Sequence, residues 1–158
     1  MSKIYGIGNP LIDILSNITN DDLNALNLYK GTMHLIDKQR HRELIDYLKS
    51  KQLVYSPGGS CPNTMVTLCS LGIPTTLAGG VGKDELANVY RAKLKEIGVK
   101  DDLISYDEPT GTSIIMLTDD KERTMNTFLG ANKCFDAPNV NLDSVKGSDI
   151  FYFTGYMW

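Results

Sequence analysis

The chain has 158 residues, 42% of them hydrophobic and 22% charged, with a formal net charge of -3. That length suits one ordinary domain, roughly 100–200 residues, and the apolar fraction is too high for a disordered chain. Sixteen Lys and Arg against nineteen Asp and Glu leave no basic footprint for a nucleic acid, no run nears the ~18 apolar residues of a membrane span, and the start MSKIYGIGNP lacks the apolar stretch of a secretion signal.

The expectation is therefore a soluble, cytoplasmic protein with neither nucleic acid nor membrane as partner. Residues Ile4 to Gly8 read as a buried strand, and Leu11 to Leu15 as a second apolar stretch. Asn20 is the expected N-cap of a short helix over Asp21 to Leu26, and Asp37 caps the next, where His41, Leu44, Ile45 and Leu48 share a face. Val54-Tyr55-Ser56 runs into Pro57-Gly58-Gly59, and Ser60 is the expected cap of a helix with Pro62 in its first turn and Gly72 at its end. Met65, Val66, Leu68, Cys69 and Leu71 make that helix apolar nearly all round, which predicts burial.

Thr75 to Ala78 reads as a strand followed by a flexible Gly79-Gly80-Val81-Gly82 turn. Leu86, Val89, Tyr90, Leu94 and Ile97 form a helical stripe closed by Gly98. This alternation of strands and helices calls for a mainly parallel sheet covered by helices. Ser113 to Leu117 and Arg123 to Leu129 form a hairpin around Asp119-Asp120, and Ile150 to Phe153 is the last strand. Seven of the last nine residues are apolar or aromatic. A strand in a parallel α/β domain needs both faces covered, so the expectation is that the natural protein continues.

The three cysteines, Cys61, Cys69 and Cys134, form no C-x-x-C pair and suggest neither a disulfide framework nor a zinc site. They read as small hydrophobes, and a nucleophilic Cys61 is disfavoured. The two histidines, His34 and His41, have no company that suggests a catalytic triad. Two glycine clusters fail as nucleotide fingerprints. Gly6-Ile7-Gly8-Asn9-Pro10-Leu11 has Leu where the third glycine belongs and Pro where a helix should start. In Gly79-Gly80-Val81-Gly82-Lys83-Asp84 the first glycine of a P-loop would fall at Leu77 and its Ser or Thr at Asp84. Both failures count against a nucleotide-dependent oxidoreductase.

Two other segments carry polar chemistry. Gly58 and Gly59 before a helix let backbone N–H groups approach a ligand, although a plain strand-to-helix turn fits as well. Asn9 and Asp13 are four apart and would share one face of a regular strand, where an amide beside a carboxylate suits vicinal hydroxyls. Taken alone, Asp13 reads as a solvated loop acid.

The ordered series Gly8-Asn9-Pro10-Leu11-Ile12-Asp13, Gly58-Gly59-Ser60-x-x-Asn63, Gly79-Gly80-Val81-Gly82-Lys83-Asp84, Pro109-Thr110-Gly111-Thr112, Ala131-Asn132 and Tyr152-Phe153-Thr154-Gly155-Tyr156 resembles the ribokinase-like, PfkB-type sugar and nucleoside kinases, and within them the adenosine kinases. The resemblance spans the chain but only the first half of such an enzyme. It implies a three-layer, Rossmann-type α/β fold with a mainly parallel sheet and a small β lid, incomplete at the C-terminus. Residues 1–158 would be the N-terminal part of one domain, with lid segments near 11–36 and 109–130.

The activity implied is ATP-dependent phosphorylation of a primary hydroxyl on a nucleoside or sugar, with ATP and Mg2+ bound mostly by the missing half. Asp13 would hold two hydroxyls; Asn9, Asn63 and the backbone at Gly58 and Gly59 would complete the grip. Arg123 would reach the transferring phosphate, and Met33 and Tyr156 would line the pocket. His34 would be a satisfied lid or core histidine beside that lining, and a homodimer could form through the lid. The family's Gly-Ala-Gly-Asp base segment and its Asn-x-x-Glu magnesium region are absent from this chain. The competing reading is a non-catalytic module that binds a sugar or nucleoside.

Overall fold

A computed structural model describes residues 2–155. In chain order these form β1 (Ile4–Ile7), β2 (Leu11–Asn17), α1 (Asn20–Ala25), β3 (Met33–Leu35), α2 (Lys38–Leu48), β4 (Val54–Gly58), α3 (Ser60–Ser70), β5 (Thr75–Gly82), α4 (Glu85–Ile97), β6 (Lys100–Tyr106), β7 (Gly111–Leu117), β8 (Arg123–Phe128), α5 (Leu142–Lys146) and β9 (Ile150–Phe153). Two 3-10 turns, Gly130–Cys134 and Ala137–Asn139, precede α5.

The strands divide into two sheets. The first has the order β6-β5-β1-β9 and is parallel throughout. The second has the order β3-β8-β7-β2-β4 and is mixed, with parallel β2–β7 and β3–β8 pairs and antiparallel β7–β8 and β2–β4 pairs. The α/β class and the mainly parallel sheet expected from the sequence are both present. So is the β7–β8 hairpin.

Each face of the first sheet is covered according to its side-chain alternation. Ile4 and Leu77 join Met65 of α3 and Leu94 of α4 in one core, while Tyr5, Ile7 and Ala78 meet Phe135, Val140 and Val145 on the other side. In the second sheet, Ile12, Ile14, Ile114 and Met116 point to one face and pack with Leu44 and Leu48 of α2, with Leu23 of α1 and with Leu26 at its C-terminal end. Full burial of each such side chain contributes roughly 1.5–3 kcal/mol. The opposite face of this sheet is open. Among the described residues, no helix is long and apolar enough to cross a membrane.

Several local expectations are corrected. Thr19, not Asn20, caps α1: its hydroxyl accepts from Asp22 N at 3.2 Å, and the Asp22 carboxylate accepts from Thr19 N at 2.7 Å. That reciprocal box satisfies two helix-end donors and outcompetes a cap one residue later. Asp37 does cap α2. At α3 the cap position is Gly59, with φ 105° and no side-chain bond, rather than Ser60. Helix α3 is also less buried than its composition predicts, since Leu71 is 73% exposed.

The glycines at 79–82 do not turn; they extend β5. A Cβ at Gly79 would lie 2.4 Å from Gly8 O, and one at Gly80 2.4 Å from Ala131 O. Close packing of backbone, not flexibility, explains these glycines. Strand β6 escapes the sequence reading because its first three residues, Lys100, Asp101 and Asp102, disguise it as a loop.

Candidate functional site

The chain crosses between the two sheets at Gly8–Pro10, at Gly58–Gly59, at 107–110 and at Leu129–Gly130. These crossings are tied to one another. Asn132 Nδ2 donates to Pro10 O at 3.1 Å and to Leu129 O at 2.9 Å, and Ala131 N donates to Pro109 O at 2.8 Å. Thr110 donates its N–H and its hydroxyl to the Asp84 carboxylate at 2.7 and 2.6 Å, and that hydroxyl accepts from Gly82 N at 2.9 Å. Burial pushes the Asp84 carboxyl up, but bonds from Thr110 and Ala87 outweigh it and the net shift is downward. The Gly-Lys-Asp, Pro-Thr-Gly-Thr and Ala-Asn segments thus serve as one clamp between sheets.

Asp13 stands on the open face of the second sheet. The register sets it between Ser56 of β4 and Ser113 of β7, and continues the row through Thr127 to Leu35. Strand alternation puts these side chains on one face. Two serine hydroxyls therefore flank a single carboxylate, with the Thr127 hydroxyl one strand further along the row. The neighbouring row, Val54-Leu15-Ile115-Met125-Met33, is apolar.

Among the described residues no hydrogen-bond donor is bound to the Asp13 carboxylate. Burial raises its pKa, and the Arg123 charge opposes that rise without cancelling it. Arg123 begins β8 on the same side and is exposed. Gly58 lies directly against Asp13: a Cβ there would come 2.3 Å from Asp13 Oδ2. Tyr90 of α4, itself buried, fixes this glycine by donating to Gly58 O at 2.8 Å. Burial first, then the nearby Cys61 and Asp13, push the Tyr90 hydroxyl far up, so it is a permanent donor.

An apolar groove of about 280 Å³ runs beside this row, lined by Asn9, Leu11, Met33, Leu35, Ser60, Thr127 and Leu129. Asn9 and Met33, both expected in the site, meet here. Asn9 is not on the strand with Asp13, because β2 begins at Leu11 and Pro10 intervenes. It lies in the crossing before β2, where its carbonyl faces Gly59: a Cβ at Gly59 would come 2.3 Å from Asn9 O. Asn63 is separated from the groove. It is exposed on α3 and lines a shallow hollow with Thr64, Thr67 and Leu68. Tyr156 lies outside the described residues.

The sequence reading missed Leu11, Leu35, Thr127 and Leu129 of the groove, and Ser56 and Ser113 beside Asp13. The odd-numbered alternation through Thr127 and Leu129 is the one signal that could have found part of this set. His34 is exposed, its Nε2 2.9 Å from Thr32 Oγ1. Cys61 is buried and its thiol is pushed up to about 12 by that burial, which makes it the small hydrophobe expected.

Comparison with known proteins agrees with this architecture. The chain is 30% identical over 162 residues to an adenosine kinase of Dictyostelium discoideum, covering 98% of this chain and 47% of that protein. It is 26% identical over 102 residues to a fructokinase of Solanum tuberosum, covering 62% of this chain and 32% of that protein. The crystal structure of adenosine kinase from Sinorhizobium meliloti superposes with a TM-score of 0.88 at 32% identity, covering 99% of this chain and 48% of that one. The chain thus spans half or less of the length of these relatives, and its two-sheet fold is ribokinase-like. The model of the pfkB family carbohydrate kinases matches residues 30–158, so the chain belongs to the pfkB carbohydrate kinase family.

Proposed function

We propose that this chain is the acceptor-binding part of an ATP-dependent kinase that phosphorylates a primary hydroxyl of a nucleoside or sugar. The observation that carries the reading is the Asp13 carboxylate, half-buried, without a bound donor, and set beside an apolar groove. Vicinal hydroxyls of a ribose or hexose are the donors it lacks, each charge-assisted bond contributing about 1.5–3 kcal/mol. The groove of Leu11, Met33, Leu35 and Leu129 suits a flat, uncharged aromatic group, which favours a nucleoside over a free sugar. The kinship with an adenosine kinase supports the same choice.

In this reading the second sheet is a lid, made of segments near 11–36 and 109–130 with β4 added to them. Its clamped crossings at Asp84, Thr110 and Asn132 hold Asp13 in place while the acceptor is oriented. Arg123, on the same face, supplies a positive charge for the transferring phosphoryl group. Gly58 and Gly59 form the floor, with Asn63 at a distance. The family resemblance puts ATP and Mg2+ with this reading. Among the described residues no group of three or more His, Cys, Asp or Glu is gathered to hold a metal. A homodimer through the lid would have to use its open face or its edges, because α1 and α2 occupy the remaining face. A cytoplasmic location belongs to the same reading.

Calorimetric titration of adenosine, ribose and fructose into the chain tests it. Adenosine is expected to bind and Asp13→Asn to weaken it at least about tenfold, the loss of one charge-assisted bond. Absence of binding by all three, or indifference to Asp13→Asn, would refute the assignment. If a longer protein that carries this chain binds acceptor yet never consumes ATP, the binding-module reading replaces it.

A further inference from the structure

Helix α4 packs against β5 and β6 of the first sheet, yet two of its side chains reach the crossings that carry the second. Its N-cap, Asp84, accepts from Ala87 N at 3.0 Å and from the N–H and hydroxyl of Thr110 at 2.7 and 2.6 Å. Under two turns further along the same helix, Tyr90 donates its hydroxyl to Gly58 O at 2.8 Å. One helix thus holds the entry to β7 and the exit of β4. Those two strands carry Ser113 and Ser56, the residues on either side of Asp13.

Tyr90 is 1% exposed and belongs to the same core as Met65, Leu77 and Leu94. For packing alone a phenylalanine would serve there, since a buried phenolic hydroxyl is costly unless it is bonded. Among the described residues, Gly58 O is the acceptor of that hydroxyl. Gly58 in turn is where the Asp13 carboxyl group rests. Asp13 pairs with Ser56 and leans diagonally onto Gly58: a Cβ there would come 2.3 Å from Oδ2, 2.5 Å from Cγ and 2.7 Å from Oδ1. With no donor bound to the carboxylate among the described residues, contact with Gly58 defines its position. The charged and titratable groups that face Asp13 are Arg123 of β8 and Tyr90 of α4, with Cys61 of α3 beside Tyr90.

We infer that Tyr90 is a positioning residue for the acceptor: its hydroxyl, by holding Gly58 O, fixes the seat on which the Asp13 carboxylate lies. The inference rests on the reading of Asp13 as the acceptor's grip and adds the residue that sets that grip from the other layer of the molecule. It also gives α4 a second task. The Asp84 end ties the crossing into β7, and Tyr90 ties the crossing out of β4, so the frame around Asp13 is set by a helix that does not itself line the groove.

Tyr90→Phe removes the hydroxyl and keeps the ring. In the 158-residue chain, NMR follows the Asp13 carboxyl titration without ligand, calorimetry reads adenosine affinity at neutral pH, and thermal denaturation reads stability. Loss of the donor leaves Gly58 O to be satisfied by water beside the carboxylate. The Asp13 pKa should then fall toward its ordinary value, because burial is the main cause of its rise. Adenosine affinity should drop about threefold or more, the fold-change that corresponds to the net contribution of one hydrogen bond. Leu94→Val, one turn further along α4 and equally buried, should lower the melting temperature while leaving both the Asp13 titration and the affinity unchanged. The inference is overturned if a folded Tyr90→Phe leaves the Asp13 titration where it was, if it leaves adenosine affinity unchanged, or if Leu94→Val moves the titration as far. If Tyr90→Phe does not fold, the unsubstituted chain decides: the Tyr90 Cζ resonance should follow the Asp13 titration, and a resonance that ignores it overturns the inference. Failure of the unsubstituted chain to bind adenosine would refute the acceptor reading instead, and the Asp13 titration would still show whether Tyr90 sets the carboxylate.

Discussion

Burial between Gly58 and the hydroxyl row raises the Asp13 pKa in the folded chain above its ordinary value, and linkage turns that shift into two opposite predictions. A carboxyl with a raised folded pKa contributes stability below its unfolded pKa and loses it as pH rises through the folded value. At neutral pH the ionised Asp13 therefore opposes folding. Asp13→Asn should raise the melting temperature at pH 7 and lose that advantage in acid, which a fluorimetric pH series would measure; a lowered melting temperature at pH 7 would contradict the burial argument. Acceptor binding should move the other way, weakening as pH falls through the raised pKa and the carboxylate is protonated. Asp22 of α1 is the counterexample. Bonds from Tyr47, Thr19 and Lys51 lower its pKa, so its contribution is present at neutral pH and fades in acid.

The ends of helices and strands separate position from chemistry. Thr19→Ala should destabilise the chain by about 1 kcal/mol, the usual contribution of an N-cap hydroxyl, whereas Asn20→Ala should change little; urea titrations of the pair would confirm which residue caps α1. The two glycines before α3 should respond differently. Gly59 has φ 105° and faces Asn9 O, so Gly59→Ala strains the backbone by roughly 1–2 kcal/mol before any clash is counted, and is expected to show as lost stability. A Cβ at Gly58 meets the Asp13 carboxylate instead. Gly58→Ala should therefore displace Asp13 and reduce adenosine affinity more than it lowers the melting temperature. Equal effects of the two substitutions on binding would sink the distinction.

On the scale of the whole molecule, two sheets that share one continuous core are joined by four short crossings, and Asn132 ties two of them through Pro10 O and Leu129 O. Asn132→Leu leaves both carbonyls without that donor, at a cost of roughly 1–3 kcal/mol per buried group. A destabilisation of about 2–4 kcal/mol by urea denaturation is expected on the same basis; a loss below about 0.5 kcal/mol, the ordinary range of surface substitutions, would show that the crossings do not depend on it. Turnover is a separate matter at this scale. The strand register puts Asp13 and Arg123 on the open face of the second sheet. Phosphoryl transfer needs in addition a base and metal-assisted charge stabilisation. The 158-residue chain alone is expected to give no adenosine-dependent ATP consumption in a coupled assay, and measurable turnover would relocate the active site.

The sequence by itself determined the class of fold, because buried periodicity is local: the apolar run of β1, the alternation in β2 and β8, the stripe on α4 closed by Gly98 and the Asp37 cap are all written within a few consecutive residues. The order of its motifs also identified the family and singled out Asp13. Tertiary structure alone decided what surrounds Asp13. Ser56, Ser113 and Thr127 come from three other strands, and only the choice of partners and register aligns them. Gly79 to Gly82 look like a turn until Gly8 and Ala131 pack against them, and Asp84 and Thr110 look like loop polar residues until they meet 26 positions apart. Asn63 fits the motif but lines a different hollow from the groove. A local pattern records which side of an element is buried; which elements meet across a sheet is settled by the packing of the whole chain.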